Sequence, residues 1–216
     1  MRFFLGLASL LLWGVGVAAA APLGPAAPKV GFGVHGNFTL GKLPGPAIAG
    51  SQPLEDAYGP GLGGGVHLDF GLPGLSLRLS GDYVRYALDE TRFRDSYVGV
   101  FGGAVSQLSI DGGALSIKSA SANAKLAVMP LPIVEPYVTG GIGLAWLNRD
   151  ETRTSIAGVA GRTFPATTQD GKTLFDVGAG ADLDLGLKLF VEARYVWILT
   201  EGEKSTYVPV ILGVTF

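Results

Sequence analysis

Few side chains in this sequence could do chemistry, and most of those that could are charged. Its two histidines are His35 and His67. Asp182-Leu183-Asp184 sets two carboxylates on one side of an extended chain, an arrangement suited to acid–base work or to a bound cation. Asp69, Arg78, Asp82, Lys125, Asp176, Lys188, Glu192 and Arg194 complete the set. Gly31-Phe32-Gly33-Val34-His35-Gly36 has the glycine spacing of a dinucleotide loop, but no strand precedes it and no helix follows, so the context that would let it hold a pyrophosphate is missing. No serine is placed to form a triad with either histidine, and no His-Glu-x-x-His spacing offers a metal site. Lys188 and Arg194 lie close to Asp182 and Asp184, which favours ion pairing over catalysis. The sequence therefore argues against an enzyme and implies no cofactor or metal.

The elements that position these charges are strands. Hydrophobic residues make up 48% of the chain, glycines number 34 and charged residues only 16%, a composition for short strands and turns rather than amphipathic helices. In Lys29–Gly41, Val30, Phe32, Val34, Phe38 and Leu40 share one face, while Gly31, Gly33, His35, Asn37 and Thr39 share the other. The same alternation recurs in Gly61–Leu72, Leu75–Ala87, Ser119–Val128, Pro136–Leu147, Leu174–Leu185, Leu187–Leu199 and Tyr207–Phe216. Each time one face is apolar and the charges fall on the opposite one, apart from Arg85, which has the apolar phase near the end of its strand. These stretches suit the ~9–11 residues of a tilted membrane strand. The connections alternate between short ones, at Pro73-Gly74, Met129–Glu135 and Gly186, and long ones, at Lys42–Pro60, Leu88–Lys118 and Asn148–Thr173. Short turns on one side and long loops on the other mark an up-and-down transmembrane barrel. Ser106–Ile110 and Leu115–Lys118, around Asp111-Gly112-Gly113, read as a hairpin within the second long loop, and a ten-stranded barrel is the alternative count. Pro209 inside the last stretch predicts a bulge.

Placed in such a barrel, the charged faces converge on the interior. Counting back from the Pro73 turn sets Arg78 beside Asp69 and His67, and the Gly186 turn sets Lys188 near Asp184. An eight-stranded barrel is only wide enough for side chains to fill, so these charges must pair in a packed polar core. The apolar faces carry Phe38, Tyr83, Trp146, Tyr195 and Trp197 toward one end and Phe70 and Phe216 toward the other, two aromatic girdles. Residues 1–20 carry Arg2, an apolar run and Ala18-Ala19-Ala20, a secretory signal peptide by pattern. Residues 21–28 form a Pro-rich linker and 29–216 the barrel domain. No further domain, and hence no peptidoglycan-tethering module, is expected after the last strand. The net charge of −2 gives no basic footprint for nucleic acid.

The final stretch, with Val210, Leu212, Val214 and Phe216 on one face, resembles the C-terminal signature of bacterial outer-membrane β-barrels. Pro136-Tyr137-Val138-Thr139-Gly140-Gly141-Ile142-Gly143 is similar to a Gly-rich strand of the small OmpA/OmpX-like barrels, and Glu192-Ala193-Arg194-Tyr195 to their acidic–Arg–Tyr strand. The resemblance implies an all-β, eight-stranded antiparallel barrel in the outer membrane of a diderm bacterium. It implies outer-membrane lipid and the barrel-assembly machinery as partners. The role expected is structural or surface-interactive through the long loops, whose ligand the sequence does not name. A narrow pore for small solutes or apolar compounds is the alternative. A soluble ligand-binding barrel would need the opposite arrangement, apolar within and polar without.

Overall fold

A computed structural model of the chain describes residues 29–42, 58–72, 74–94, 108–129, 131, 133–156, 159–200 and 205–216. Residues 1–28, where a signal peptide and a linker are expected, lie outside the described residues, as do 43–57 in the first long loop and 95–107 in the second. The strands are β1 (Lys29–Lys42), β2 (Tyr58–Leu72), β3 (Leu75–Leu88), β4 (Leu108–Gly112), β5 (Leu115–Ala127), β6 (Val134–Arg149), β7 (Thr152–Ile156), β8 (Val159–Phe164), β9 (Thr167–Asp184), β10 (Lys188–Ile198) and β11 (Ser205–Thr215). Eight of them close an antiparallel barrel in the order β1-β11-β10-β9-β6-β5-β3-β2. Only the β1–β11 contact joins elements distant in sequence, and it is sealed by a reciprocal pair of hydrogen bonds between Phe32 and Phe216, 3.2 and 2.7 Å. Among the described residues no helix is long and apolar enough to cross a membrane.

The period of two sets the faces throughout. Along β3 the outward Leu75, Leu77, Leu79 and Tyr83 are 40–46% exposed, while the inward Arg78 is 1% exposed. Phe32, Val34, Leu62, Val66, Ile142, Leu144, Val177 and Leu212 likewise line the outside. A contiguous apolar belt of this kind is incompatible with water and fits a lipid surround. That removes the soluble-barrel alternative.

The short connections are tight because glycines take positive φ there: Gly74 at 76° between β2 and β3, and Gly186 at 87° between β9 and β10. Several strands outrun the sequence expectation. β9 begins at Thr167 because Gly171, at φ 60°, absorbs a bulge where the register against β6 slips between Ala145 and Leu147. β2 begins at Tyr58, across another irregularity between Tyr58 and Gly61.

The expected hairpin within the second loop is not formed. Gly112 and Gly113 do turn the chain, but Leu115–Lys118 is the outer end of barrel strand β5, paired with both β3 and β6. β4 pairs instead with β7 from the next loop, and β7 with β8. A three-stranded sheet, β4-β7-β8, therefore stands beyond the rim, assembled from two loops, and the barrel count stays at eight. It is tied down by Gly113 N–H to Glu151 O and Asp150 N–H to Ala114 O, both 2.9 Å, and by Arg85 to Asp150 at 2.7 Å. Lengthening β5 also puts Lys118 on the outer face, opposite Tyr83 and Trp146. Lys118 thus joins Arg85 as an outward charge. Lys118 sits level with aromatic side chains, where a long stem can carry its ammonium toward a polar interface.

No bulge forms at Pro209 either. The β10–β11 ladder lacks pairs at Arg194 and Tyr195 and resumes at Val196↔Tyr207 without a change of register. The proline has no N–H to give, so rungs are dropped, and keeping the register keeps Val208, Val210, Leu212 and Val214 outside and Tyr207 and Ile211 within.

Close packing of neighbouring strands has a severe test at Gly63. A Cβ there would lie 2.0 Å from the Tyr83 carbonyl oxygen and 2.8 Å from the Val84 Cα, both backbone. Gly63→Val is expected to abolish the compact, fast-migrating band of the unheated protein on a gel. A normal heat-dependent shift in that variant would show that β2 and β3 do not approach this closely.

Candidate interior site

The lumen is filled in two tiers, and the strand pattern places each. The lower tier, toward the short turns, is ionic. Asp69 and Arg78 face each other across β2 and β3, and the guanidinium donates to both carboxylate oxygens at 2.7 and 2.8 Å. A planar fork on a carboxylate is the strongest form of ion pair. Arg78 also approaches Glu192 at 3.8 Å and lies 4.2 Å above the centre of the Phe190 ring. Glu192 receives Arg194 from its own strand and the Tyr137 hydroxyl at 2.7 Å. Lys125 reaches Asp182 at 3.2 Å and sits 4.0 Å over the Tyr137 ring. Asn123, wholly buried, donates to Asp176 at 2.5 Å and accepts from Arg194 at 3.4 Å.

Both histidines lie in this tier. His35 Nε2 is 2.6 Å from Asp82, the two imidazoles meet Nδ1 to Nδ1 at 3.3 Å, and His67 Nε2 is 2.9 Å from the Thr215 hydroxyl. Gly33 makes room for this contact, since a Cβ at that position would lie 2.4 Å from the His67 ring. No group of three or more His, Cys, Asp or Glu among the described residues could hold a metal ion.

Asp184 departs from its expected place. It is the Cα partner of Lys188, yet it is exposed, and its carboxylate accepts the Gly186 N–H at 3.3 Å in the turn. Lys188 reaches past it to Asp182 at 3.0 Å. The pair at 182 and 184 is divided by depth, one carboxylate deep in the lumen and one in water. Below the ionic tier a cup of about 540 Å³ opens between the short turns, with Lys29, Asp69, Lys125, Glu135, Asp182, Lys188 and Thr215 among its lining.

The upper tier is apolar, which the expectation of a wholly polar core missed. Tyr58, Val84, Tyr86, Leu115, Ile117, Ala145, Leu147, Leu174, Val196, Ile198 and Tyr207 form one buried cluster inside the barrel at the long-loop end. A signal for it existed: Tyr195-Val196-Trp197-Ile198-Leu199 is apolar on both faces, so the inward face must meet other apolar groups there. Between the tiers remains a cavity of about 30 Å³, bounded by Asp82, Asp176 and Arg194 on one side and Val84, Val196 and Tyr207 on the other.

On the outer surface Phe38, Tyr83 and Tyr195 are exposed near the long-loop end, where the Tyr195 and Trp197 rings pack at 4.6 Å. Trp146 and Trp197 are half-buried on the same face. Phe70 and Phe216 are exposed near the short turns. Val210 and Leu212 of β11 are exposed and Val214 half-buried.

Removing Arg78 tests the ionic tier. Arg78→Met leaves Asp69 and Glu192 buried without their shared cation, so it is expected to destabilise the barrel by about 3–5 kcal/mol. Reversible urea unfolding in lipid vesicles measures this, and an unchanged midpoint would mean that water reaches these carboxylates.

Among solved structures, this barrel is similar to Neisserial surface protein A, at 14% identity and a TM-score of 0.53, covering 88% of this chain and 98% of that one. It is similar also to a major outer membrane protein of Thermus thermophilus, at 14% identity and a TM-score of 0.50, covering 87% of this chain and 99% of that one. At such identities the likeness is one of fold. No curated protein matches. The family described as outer membrane protein beta-barrel domain matches residues 7–208, nearly the whole chain, and the protein belongs to that family of bacterial outer-membrane barrels.

Proposed function

We propose that this protein is a closed barrel that serves as a stable membrane platform, and that its function lies in the long loops it presents. The observation that carries this reading is the apolar tier. Tyr86, Ile117 and Ile198 are at most 1% exposed in the middle of the lumen, so an aqueous path would have to break a dry cluster directly beneath the loops. The β4-β7-β8 sheet above it is built from two different loops, which gives those loops a defined surface. Surface interaction through that end, with a ligand whose chemistry the sequence does not specify, is the role this arrangement supports best. A non-catalytic role agrees with the interior, where each carboxylate of the ionic tier has a hydrogen-bonding or ionic partner.

In this reading the long loops face outward and the short turns face the periplasm. Residues 1–20 direct export and are removed, and 21–28 serve as a linker. The Tyr83, Trp146, Tyr195 and Trp197 group marks the outer interface, with Phe70 and Phe216 at the inner one. Val210, Leu212, Val214 and Phe216 present an apolar edge for the barrel-assembly machinery. The rival reading, a narrow pore, draws on the cup, whose charged floor of Asp69, Lys125 and Asp182 could admit ions from the short-turn side.

Planar-bilayer recording of the folded protein separates the two. Silence is expected from protein whose folding a heat-dependent gel shift confirms. Reproducible conductance steps would overturn the closed-barrel reading. The bilayer placement is tested independently at Leu144, 46% exposed on β6. Leu144→Arg is expected to cost about 2–4 kcal/mol of folding free energy in vesicles, as for a charge near the bilayer midplane. A cost near zero would move this position out of the hydrocarbon region.

A further inference from the structure

We infer that the His35–His67 pair is a proton-binding site that holds one proton to balance the charge of the barrel interior. The ionic tier contains five carboxylates, Asp69, Asp82, Asp176, Asp182 and Glu192. It contains four permanent cations, Arg78, Lys125, Arg194 and the half-exposed Lys188. Arg149 lies at the outer edge of the apolar tier, level with Leu115 and Thr167 and away from the ionic tier. One negative charge is therefore left without a counter-charge in a lumen that meets water at the cup, and such a charge either draws in a cation or binds a proton.

The hydrogen-bond chain Asp82–His35–His67–Thr215 can take that proton and keep every contact. In the neutral arrangement the Thr215 hydroxyl donates to His67 Nε2, His67 Nδ1–H donates to His35 Nδ1, and His35 Nε2–H donates to Asp82. In the charged arrangement His35 carries protons on both nitrogens. It then donates to Asp82 and to His67 Nδ1, and His67 Nε2–H donates to the Thr215 oxygen. Only the tautomer of His67 and the rotation of one hydroxyl differ between the two, and the Thr215 O–H, which borders the cup, is the one donor that changes partner. A second proton on the pair would set two N–H groups against each other at 3.3 Å, which limits uptake to one.

The surroundings favour the charge on His35. Asp82 of β3 touches it directly at 2.6 Å. His67 shares the Phe190 ring with Arg78, its own ring centre 5.2 Å and the guanidinium 4.2 Å from the ring centre, and Lys125 lies 5.9 Å away over the same ring. The groups packed around the pair are thus Asp69 on β2, Arg78 and Asp82 on β3, Lys125 on β5, and Glu192 and Arg194 on β10. Thr215 also lines the cup, which gives the proton a route from the short-turn side.

The experiment is an imidazole ¹⁵N spectrum of the untagged, full-length protein folded in detergent micelles. Such a sample contains only these two histidines. At pH 6.5 one imidazole is expected to be doubly protonated and the other neutral, with the two sets of resonances moving together in a single step as that proton is lost at higher pH. Asp82→Asn is expected to lower the midpoint of this step by about 1–3 pH units, the effect of a neighbouring opposite charge. Two neutral imidazoles at pH 6.5 would overturn the inference and leave the charge to a bound cation or to a protonated carboxyl such as Asp176, whose hydrogen bond comes from the uncharged Asn123. Two independent titrations would overturn it as well. The wild-type spectrum decides the matter even if Asp82→Asn does not fold.

Discussion

The rest of this structure depends on the seam between β1 and β11. Neither lipid nor a filled lumen offers water to an unpaired backbone group, so a sheet with two open edges could not exist there. Closure places Phe32 against Phe216 and runs a continuous register from Gly33↔Thr215 to Lys42↔Thr206. That pairing is the most distant in sequence, so it forms only when all the intervening strands are in register. The unchanged register at Pro209 follows from the same demand. A slip of one residue in β11 would turn Val210 and Leu212 into the lumen and drive Ile211 and Thr215 into the lipid. Losing rungs opposite Arg194 and Tyr195 is the smaller penalty.

Closure fixes the lumen's volume, and the side chains must then fill it. They do so with two materials kept apart along the barrel axis. Ion pairs occupy the half near the short turns, where Lys188 and the open cup keep part of the charge in contact with water. Apolar side chains occupy the half under the loops. The division is consistent with the cost of burying charge, since ions deep on both sides would have no hydrated route by which to relax. The aromatic rings join the halves: Phe190 and Tyr137 carry Arg78 and Lys125 on their faces, and the Tyr137 hydroxyl binds Glu192. These contacts orient the cations, so the network has one arrangement rather than several of similar energy.

The outward faces, the eight-strand count, the short turns and the Asp69–Arg78 contact were legible in the sequence because each follows from a period of two counted from a tight turn. What was not legible required contacts between distant segments. The sequence around Asp111-Gly112-Gly113 carries a good turn, but whether the strand after it folds back or continues into the barrel depends on β3 and β6, which lie far away in the chain. Asp184 shares its phase with Asp182, yet it lies at the mouth, and a period of two says nothing about depth. The apolar tier escaped notice because an inward face was equated with a polar one. Near the rim both faces of β10 are apolar, and alternation fades where it would have been most informative.

The separation of tiers also decides where specificity can reside. The ionic tier presents no group to a ligand from above, because the cluster of Tyr86, Ile117 and Ile198 intervenes. Chemistry inside the barrel is then confined to exchange with the short-turn side, through the cup and Thr215. In the surface-interaction reading, recognition on the other side would fall to the rim: the β4-β7-β8 sheet, the Arg85–Asp150 bridge at 2.7 Å and the outward Lys118 between Tyr83 and Trp146. Because the sheet draws its strands from two loops and is bonded to the end of β5, its position is set by the barrel wall. In that reading, substitutions in the loops would change what the surface recognises without disturbing the charge network below.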